Sequence, residues 1–429
     1  MNGRLNLFQA TMLHWRELHP YNAVHVVRVP APFEGGPLEA AIAAELESGG
    51  LTGFELDADR RRYAYHGGKA TPALALLPDA RNAEESLRAE IERQLNTRFP
   101  VTGRFDPFRF FARVEGDAFH LGLAYDHFVA GGDSIAVLLH RIAGVYCGTR
   151  RAGGRFDVYP ATYTALFRRH AGAFLRGLPQ LRTITAGCRR SYRPHYADCQ
   201  DGRTGFVHAR VAPATLGAAA RTARAWGVTR NDLLLALLLE TLSPLAAGRH
   251  GEIRRNELAV ASIVNMRRDY QPEAATTFGQ FLSSFRVTHP VPEGVGLSTL
   301  ARDVHAETER AKRGKLYLQT LLGIAVGAAL WHFQTPLQRS RFHGKSYPLW
   351  GGVTTLDSDA LWRAGEASAA APVYLRGVPT GPLAPLVLAA TFAADGLSLG
   401  LTFRTTTFSR ETVDAIAAAL VHRIHDTAA

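Results

Sequence analysis

The sequence predicts an α/β protein in which two similar layers of strands and helices pack together. Short apolar runs of strand length alternate with segments of helical periodicity along the 429 residues. Each half of the chain also has the same late order of elements, a hairpin followed by a helix. A hairpin turning at residues 115–117 precedes a helix at 135–145, and a hairpin turning at 395–396 precedes a helix at 408–424.

The first half contains one clear strand and two clear helices before its hairpin. Residues 22–30 are rich in valine and end at a proline, which predicts a strand. Apolar residues then recur at helical spacing over 38–46 and 84–95, which predicts two amphipathic helices. The second strand of the hairpin, residues 118–125, leads into a glycine turn.

The second half begins again with a strand. Residues 205–211 predict that strand, and 215–226 and 228–242 predict two helices, the second with an almost unbroken apolar body. Strands are predicted again over 258–264 and 278–287. Both halves therefore mix strands with helices, as an α/β fold requires.

Residues 316–333 form a long apolar stretch with two glycines spaced four residues apart. The stretch falls short of the about 20 clean apolar residues that a membrane span needs. We therefore expect a buried core helix, with a lipid-facing helix as the alternative.

The composition is that of a globular protein, with 46% hydrophobic and 20% charged residues. The net charge of +11 comes mostly from arginine and suits partners such as anionic lipid, a CoA thioester or an acidic carrier protein. No recognition motif supports a nucleic-acid partner. The three cysteines lack metal-ligand spacing, and the N-terminus lacks the apolar core of a secretion signal. We expect a cytoplasmic protein with free thiols and no metal site.

The charge is most lopsided between residues 159 and 197, where the chain has no Asp or Glu. Its arginines include Arg168, Arg169, Arg189 and Arg190, which alternate with apolar side chains. Such a segment suits a solvated linker, a dock for a carrier protein or a helix on a membrane surface.

Residues 121–134 carry the strongest local signal for a functional site. An apolar strand runs into a glycine pair at 131–132, whose backbone freedom permits a sharp turn, and a helix follows with Asp133 or Ser134 as its expected N-cap. His127 stands at the strand exit, where a rigid element positions it and a loop exposes it. The alternative is a structural histidine held by hydrogen bonds.

The segment Asp126-His-Phe-Val-Ala-Gly-Gly132 resembles the His-His-x-x-x-Asp-Gly motif of the condensation-domain and chloramphenicol-acetyltransferase-like acyltransferase superfamily. That superfamily includes condensation domains of nonribosomal peptide synthetases, wax ester synthases and polyketide-associated acyltransferases. His127 matches the second, catalytic His, and Gly132 matches the motif Gly. Further stretches that resemble the family in order and spacing are Tyr21-Asn-Ala-Val, Gly227-Val-Thr-Arg-Asn-Asp, Ser262-Ile-Val-Asn-Met-Arg, Phe278-Gly-Gln-Phe-Leu-Ser and Val353-Thr-Thr-Leu.

The resemblance implies two chloramphenicol-acetyltransferase-like subdomains packed as a pseudo-dimer, with the active site in the channel between them. The N-terminal subdomain is expected at 1–180 and carries the His motif. A basic linker is expected at 181–204, and the C-terminal subdomain at 205–429.

The resemblance also assigns roles to single residues. His127 becomes the general base, because a neutral imidazole can take the proton of an attacking acceptor. The backbone N–H of Gly131 or Gly132 and the hydroxyl of Ser283 or Thr355 become candidate donors to the oxyanion.

Several positions depart from the family pattern. Asp126 stands in place of the first His, and Gly131 stands in place of the Asp whose ion pair holds the loop. Asp133, two residues later, is a candidate substitute for that Asp. Ser283 replaces the usual Asn of its strand, and Thr355 replaces the Asn of a late Ser-Asn pair.

The implied activity is transfer of an acyl group from an acyl-CoA or acyl-carrier-protein thioester to a hydroxyl or amine acceptor. No bound cofactor is expected, since the acyl-CoA or phosphopantetheine-linked thioester is itself the substrate. Arg168, Arg169, Arg189 and Arg190 would contact the carrier or its phosphate, and a peripheral membrane contact is an added expectation. The alternative is a non-catalytic homologue that binds a carrier protein or lipid.

Residues 128–135 also resemble the attachment site of phosphopantetheine carrier proteins, with Ser134 as the modified residue. Carrier domains are small helical bundles, whereas a strand hairpin precedes this stretch. A lipase-like nucleophile at Ser134 has no support either, because Gly-x-Ser-x-Gly is absent.

Overall fold

The computed structural model describes residues 2–78, 82–158, 163–270, 277–363 and 373–428. Within these residues the strands are β1 (Asn2–Arg4), β2 (Asn22–Val29), β3 (Phe54–Asp57), β4 (Arg62–Tyr65), β5 (Leu74–Leu76), β6 (Gly103–Arg104), β7 (Phe108–Glu115), β8 (Ala118–Asp126), β9 (Asp157–Val158), β10 (Thr204–Val211), β11 (Leu258–Asn265), β12 (Thr277–Phe278), β13 (Leu282–His289), β14 (Gly351–Asp357), β15 (Tyr374–Gly377), β16 (Leu386–Ala393) and β17 (Gly396–Arg404).

The helices within the same residues are α1 (Leu7–Leu18), α2 (Gly35–Gly49), α3 (Ala83–Leu95), α4 (Gly132–Tyr146), α5 (Thr164–Arg169), α6 (Ala171–Gly177), α7 (Gln180–Arg190), α8 (Pro213–Ala225), α9 (Arg230–Leu242), α10 (Arg267–Tyr270), α11 (Leu297–Arg313), α12 (Thr320–Trp331), α13 (Pro336–Ser346), α14 (Ser358–Arg363) and α15 (Arg410–Ala428). Most of the predicted helices and strands are present within a few residues of their expected bounds.

The first half of the chain builds a five-stranded sheet with the strand order β15-β2-β8-β7-β5. Its centre is the predicted hairpin, in which β7 and β8 pair antiparallel from Phe108 opposite Tyr125 to Glu115 opposite Ala118. Eight of the nine residues of β8 are buried. This burial on both faces explains the near-continuous apolar run in the sequence.

The second half builds a six-stranded sheet with the order β10-β17-β16-β14-β11-β13. Helices α8, α9 and α15 pack together beside it, and ten of the thirteen residues of α9 are buried. The start of α9 is fixed by a capping box between Thr229 and Asp232. The predicted buried helix at 228–242 is thus confirmed.

The two halves are joined by strand exchange as well as by packing. Strand β15, from the second half, pairs antiparallel with β2 and completes the first sheet. The short strands β9 and β12, one from each half, pair in parallel. The predicted α/β fold of two packed subdomains is confirmed, whereas the exact subdomain boundaries stay a prediction.

Helix α4 begins earlier than the sequence suggested. Its N-cap is Gly131, in extended conformation and without a side-chain cap, so Asp133 and Ser134 lie inside the first turn. The prediction that Asp133 or Ser134 caps the helix is therefore wrong. Neither Gly131 nor Gly132 has a positive φ, so the turn from the strand exit into the helix does not depend on the backbone freedom that the sequence suggested.

The apolar stretch 316–333 does not form the buried core helix that we expected. It breaks into a 3₁₀ turn at Leu316–Leu318 followed by α12, which contains no charged residue. Only Leu321 and Trp331 of α12 are buried, and Phe333 just beyond it is 87% exposed. A helix that is apolar on all sides is ordinarily covered, so this one leaves an apolar face uncovered.

No single helix among the described residues has the length and apolarity needed to cross a membrane. Two bent helix pairs meet that test when their lengths are combined.

Candidate functional site

His127 lies at the end of β8, where the strand leaves the sheet. Its backbone N–H donates to the carbonyl of Tyr21, at 3.0 Å, next to the start of β2. Its ring lies between two aromatic rings, with centroid distances of 5.6 Å to Tyr21 and 5.7 Å to Tyr125. His127 as a whole is 7% exposed, so its environment is largely dry.

Burial determines the protonation state of this imidazole. The pKa of His127 is lowered to about 4, mainly by burial; the nearby Arg376 cation acts in the same direction and a backbone hydrogen bond with Ala130 acts against it. The imidazole is therefore neutral at pH 7. A neutral imidazole at a strand exit can accept a proton, which is the state that a general base requires.

Asp126, which replaces the first motif His, forms a buried ion pair. Its carboxylate lies 2.9 Å from Nη1 of Arg16 on α1, and the two side chains are 2% and 7% exposed. Arg16 also donates to the carbonyls of Phe99 and Pro100. Burial raises the pKa of Asp126 to about 6, although Arg16 acts in the opposite direction. This pair anchors the residue before His127 to the first helix.

Gln280 from the second half holds the motif loop from the other side. Its amide Nε2 donates to the carbonyls of His127, at 2.9 Å, and Ala130, at 3.3 Å. The N–H of Gly131 donates to the carbonyl of Gly279 at 2.9 Å. A Cβ on Gly131 would approach the Gln280 Oε1 to 2.9 Å, so a larger residue here would require the Gln280 amide to shift.

Asp133 ties the first turn of α4 to the second half. Its carboxylate accepts from Asn265 and lies 3.5 Å from Nε of Arg267. Arg267 also donates to the hydroxyl of Ser134 at 3.0 Å. A carboxylate–arginine contact thus exists beside the loop, two residues after the position that resembles the motif Asp.

Ser134 is buried and its hydroxyl is fully engaged. The hydroxyl donates to the carbonyl of Gly279 and accepts from the Gly279 N–H, at 3.3 and 3.2 Å. Such a side chain is not presented for modification, which agrees with setting aside the carrier-protein interpretation.

A second group of polar side chains lies buried next to the motif loop. His25 contacts the Tyr374 hydroxyl through Nδ1 at 2.7 Å and the Tyr125 hydroxyl through Nε2 at 3.4 Å. Arg376 on β15 is 3% exposed and donates only to neutral acceptors. Burial lowers the pKa of His25, and the Arg376 and His127 side chains lower it further.

The remaining predicted residues fall outside this group. The Ser283 hydroxyl is buried and donates to the carbonyl of Tyr317 at 2.7 Å, and Thr355 is exposed on β14. Among the described residues, no hydrogen bond or ion pair links either of them to the motif loop. Their roles, like that of His127, stay predictions.

The four predicted contact arginines divide into two kinds. Arg190 pairs with Glu257 at 2.5 Å, and Arg169 donates to the Tyr270 carbonyl at 3.1 Å. Arg168 and Arg189 are exposed, and within the described part of the chain neither has an ion-pair partner. Only the latter two are free to meet a partner without losing an internal contact.

The fold and this arrangement define the class to which the chain is similar. Its fold is similar to that of solved condensation and epimerization domains, and its motif loop lies where the two halves meet. No protein-family model and no curated protein matches the chain, so the likeness is one of structure.

Three solved structures illustrate the likeness. The first condensation domain of the CDA synthetase matches 100% of this chain and 96% of its own, with a TM-score of 0.65 and 14% identity. The epimerization domain from the third module of tyrocidine synthetase B matches over the same shares, with a TM-score of 0.67 and 16% identity. The X-domain in complex with OxyB from teicoplanin biosynthesis matches 99% of this chain and 93% of its own, with a TM-score of 0.60 and 17% identity.

Four residues that shape this site were not predicted from the sequence. They are His25, Gln280, Arg267 and Arg376, which come from four separate segments of the chain. Gln280 and Arg267 lie inside stretches that resemble the family, so their positions carried a signal. Arg376 carried none, because its segment reaches the first sheet only through the strand exchange.

Proposed function

We propose that this protein is an acyltransferase that moves an acyl group from a thioester to a hydroxyl or amine acceptor, with His127 as general base. The observation that carries the proposal is a neutral, buried imidazole at a strand exit, held where the two halves of a condensation-domain fold meet. A thioester is already activated, so the acceptor mainly needs to lose its proton as it attacks.

The proton follows a simple route. The acceptor O–H or N–H attacks the thioester carbonyl, and His127 takes the proton as the new bond forms. The tetrahedral oxyanion then collapses, the carbon–sulfur bond breaks, and the imidazolium returns the proton to the thiolate. Because burial disfavours an isolated imidazolium, the protonated ring is favoured only while the oxyanion is present.

Two parts of the proposal concern the partners. The donor is an acyl-CoA or an acyl-carrier protein, and no other cofactor takes part. Arg168 and Arg189, exposed and without an ion pair in the described residues, support contact with the phosphate of either donor. The protein acts as a stand-alone catalyst in this proposal.

Thiol release tests the proposal. Protein is given acyl-CoAs and acyl-carrier proteins with mixed alcohols and amines, and free thiol is measured over time. His127→Ala should lower the acceptor-dependent rate by about 100-fold or more. His120→Ala is the matched control, because His120 lies near the other end of β8 and burial also lowers its pKa to about 4. Loss of activity in both variants alike would contradict a special role for His127.

Exposed apolar side chains on and beside α6, α12 and α13 favour a second candidate function, a binding module. These side chains, called the apolar surface below, are Leu175, Leu178, Val326, Leu330, Phe333 and Leu337. Gln319, at the start of α12, donates to the Phe174 carbonyl at 2.8 Å, which joins α6 to α12. Arg168 on α5 and Arg176 on α6 are also exposed, so this part of the chain presents both apolar and cationic groups, as interfacial helices do.

Vesicle sedimentation distinguishes this second function. The binding module predicts sedimentation with vesicles that contain phosphatidylserine and weaker sedimentation with neutral vesicles. Phe333→Ser should reduce it, whereas Ile253→Ser, at a side chain that is 96% exposed elsewhere, should not. Absence of lipid binding together with thiol release would leave the acyltransferase alone.

A further inference from the structure

Arg376 is a buried cation that has no ion-pair partner among the described residues. Its Nε donates to the Thr391 hydroxyl at 2.8 Å, and its Nη2 donates to the carbonyls of Thr354 and Ala390 at 3.1 and 2.9 Å. No carboxylate of the described residues lies within 4.0 Å of it, and Nη1 has no hydrogen-bond partner among them. A buried cation held only by neutral acceptors has its positive charge uncompensated.

The free Nη1 is directed at the N-terminus of α4. A Cβ placed on Gly132, the first residue of that helix, would lie 3.4 Å from Nη1 of Arg376 and 3.4 Å from Cε1 of His25. The backbone of Gly132 has ordinary helical geometry, so the glycine is not needed for its conformation. Because Gly132 has no side chain, no atom of that residue separates the helix end from the guanidinium of Arg376.

The N-terminus of α4 adds free backbone N–H groups and a partial positive charge to that of Arg376. Helix α4 has fifteen residues and no side-chain cap, and its first three N–H groups have no acceptor among the described residues. The positive end of the helix dipole therefore adds to the arginine charge. The carboxylate of Asp133, which also acts on Arg376, is engaged by Arg267 and Asn265.

We propose that Arg376 Nη1 and the N-terminus of α4 bind a free carboxylate of the acceptor substrate, beside His127. The inference rests on the proposed acyltransferase function and narrows its acceptor to a class, the amino or hydroxy acids. Seating the carboxylate there fixes the acid end of the acceptor and leaves its amine or hydroxyl near the imidazole. Charge-assisted bonds to a guanidinium and to helix N–H groups are the strong donors that a carboxylate prefers.

Binding is measured first, because it does not depend on turnover. Benzoate and benzamide are titrated into the full chain, and the imidazole signals of ¹⁵N-histidine-labelled protein are followed by NMR. Benzoate should shift the His25 and His127 signals and benzamide should not. Gly132→Ala should weaken benzoate binding by about tenfold or more, since its methyl group separates Nη1 from the helix end.

Gly132→Ala, compared with a matched control, keeps the test independent of folding. Arg376→Lys would also remove the planar donor, but it loses hydrogen bonds to β14 and β16 and is therefore less suitable. Gly187→Ala on α7 is the matched control, because a Cβ there meets the guanidinium of Arg286 at 3.3 Å without touching the site. Equal benzoate affinity in Gly132→Ala and Gly187→Ala would overturn the proposal.

Kinetics separates the carboxylate site from the reaction itself. Amino acids are compared with their amides as acceptors, and Gly132→Ala should raise KM for the acids only. An equal fall in kcat for acids and amides would assign Arg376 to the oxyanion instead and overturn the proposal. If no acceptor turns over while benzoate still binds, the acyltransferase proposal fails and the anion site stands.

Discussion

Breaking the buried ion pair between Arg16 and Asp126 should be among the most destabilising polar changes in the chain. Both side chains are less than a tenth exposed, and their charged atoms lie 2.9 Å apart. Asp126→Asn leaves the guanidinium buried with only the carbonyls of Phe99 and Pro100. Removing one partner of such a pair costs about 3–5 kcal/mol. The two remaining acceptors place the expected loss near the lower end, about 3 kcal/mol.

The assay is urea unfolding followed by tryptophan fluorescence, since Trp15 is buried one residue before Arg16. Arg16→Met with Asp126→Leu removes both charges, and the double variant should lie within about 1.5 kcal/mol of the parent. The comparison variant is Glu115→Gln, which breaks a pair with Arg28 whose side chains are 44% and 39% exposed. That change should cost less than about 1 kcal/mol.

Two results would refute this reasoning. One is an Asp126→Asn loss no larger than that of Glu115→Gln, which would mean that Arg16 is satisfied without its carboxylate. The other is a double variant whose loss equals the sum of the two single losses, because an interacting pair is not additive. Asp126→His, which restores the two-histidine motif, should also destabilise, since imidazole cannot neutralise Arg16.

The pKa of His127, about 4 when folded, lies below the about 6.5 of an unfolded histidine, so the unfolded chain binds the extra proton between those values. The free energy of unfolding should therefore fall as pH drops from 6.5 to 4, and His127→Gln should reduce that slope by up to about 1.4 kcal/mol per pH unit in acid unfolding curves. For the same reason, the acid limb of kcat/KM should lie well below pH 6.5, and a limb at 6.5 would contradict a buried base. Incubation with CoA and a phosphopantetheinyl transferase should leave the mass unchanged, because Ser134 is buried; added mass would restore the carrier interpretation. Ser283→Ala should lower the free energy of unfolding by about 1 kcal/mol in urea with kcat unchanged, because the Ser283 hydroxyl donates to the Tyr317 carbonyl. A large fall in kcat would instead support Ser283 as a donor to the oxyanion.

The amino-acid sequence determined the elements that local chemistry controls. A valine-rich run with a terminal proline was enough for β2, helical spacing was enough for α3, and an almost unbroken apolar run was enough for α9. The strand-to-turn transition at residues 121–134 placed His127 at a strand exit, and the order of weak motifs indicated the fold. These features follow from periodicity and turn residues within a short window, so the sequence alone carries them.

The environment of that histidine depends on tertiary packing. Three side chains contact the motif loop or its ends from distant parts of the sequence: Arg16 from the first helix, and Gln280 and Arg376 from the second half. Each is more than a hundred residues away along the chain, and no local pattern encodes such contacts. The exposure of α12 could not be predicted from the sequence either, because an apolar helix has the same pattern whether its surface is covered or not. Burial is a property of the whole packed chain. It therefore sets the charge of His127, which its residue type leaves open.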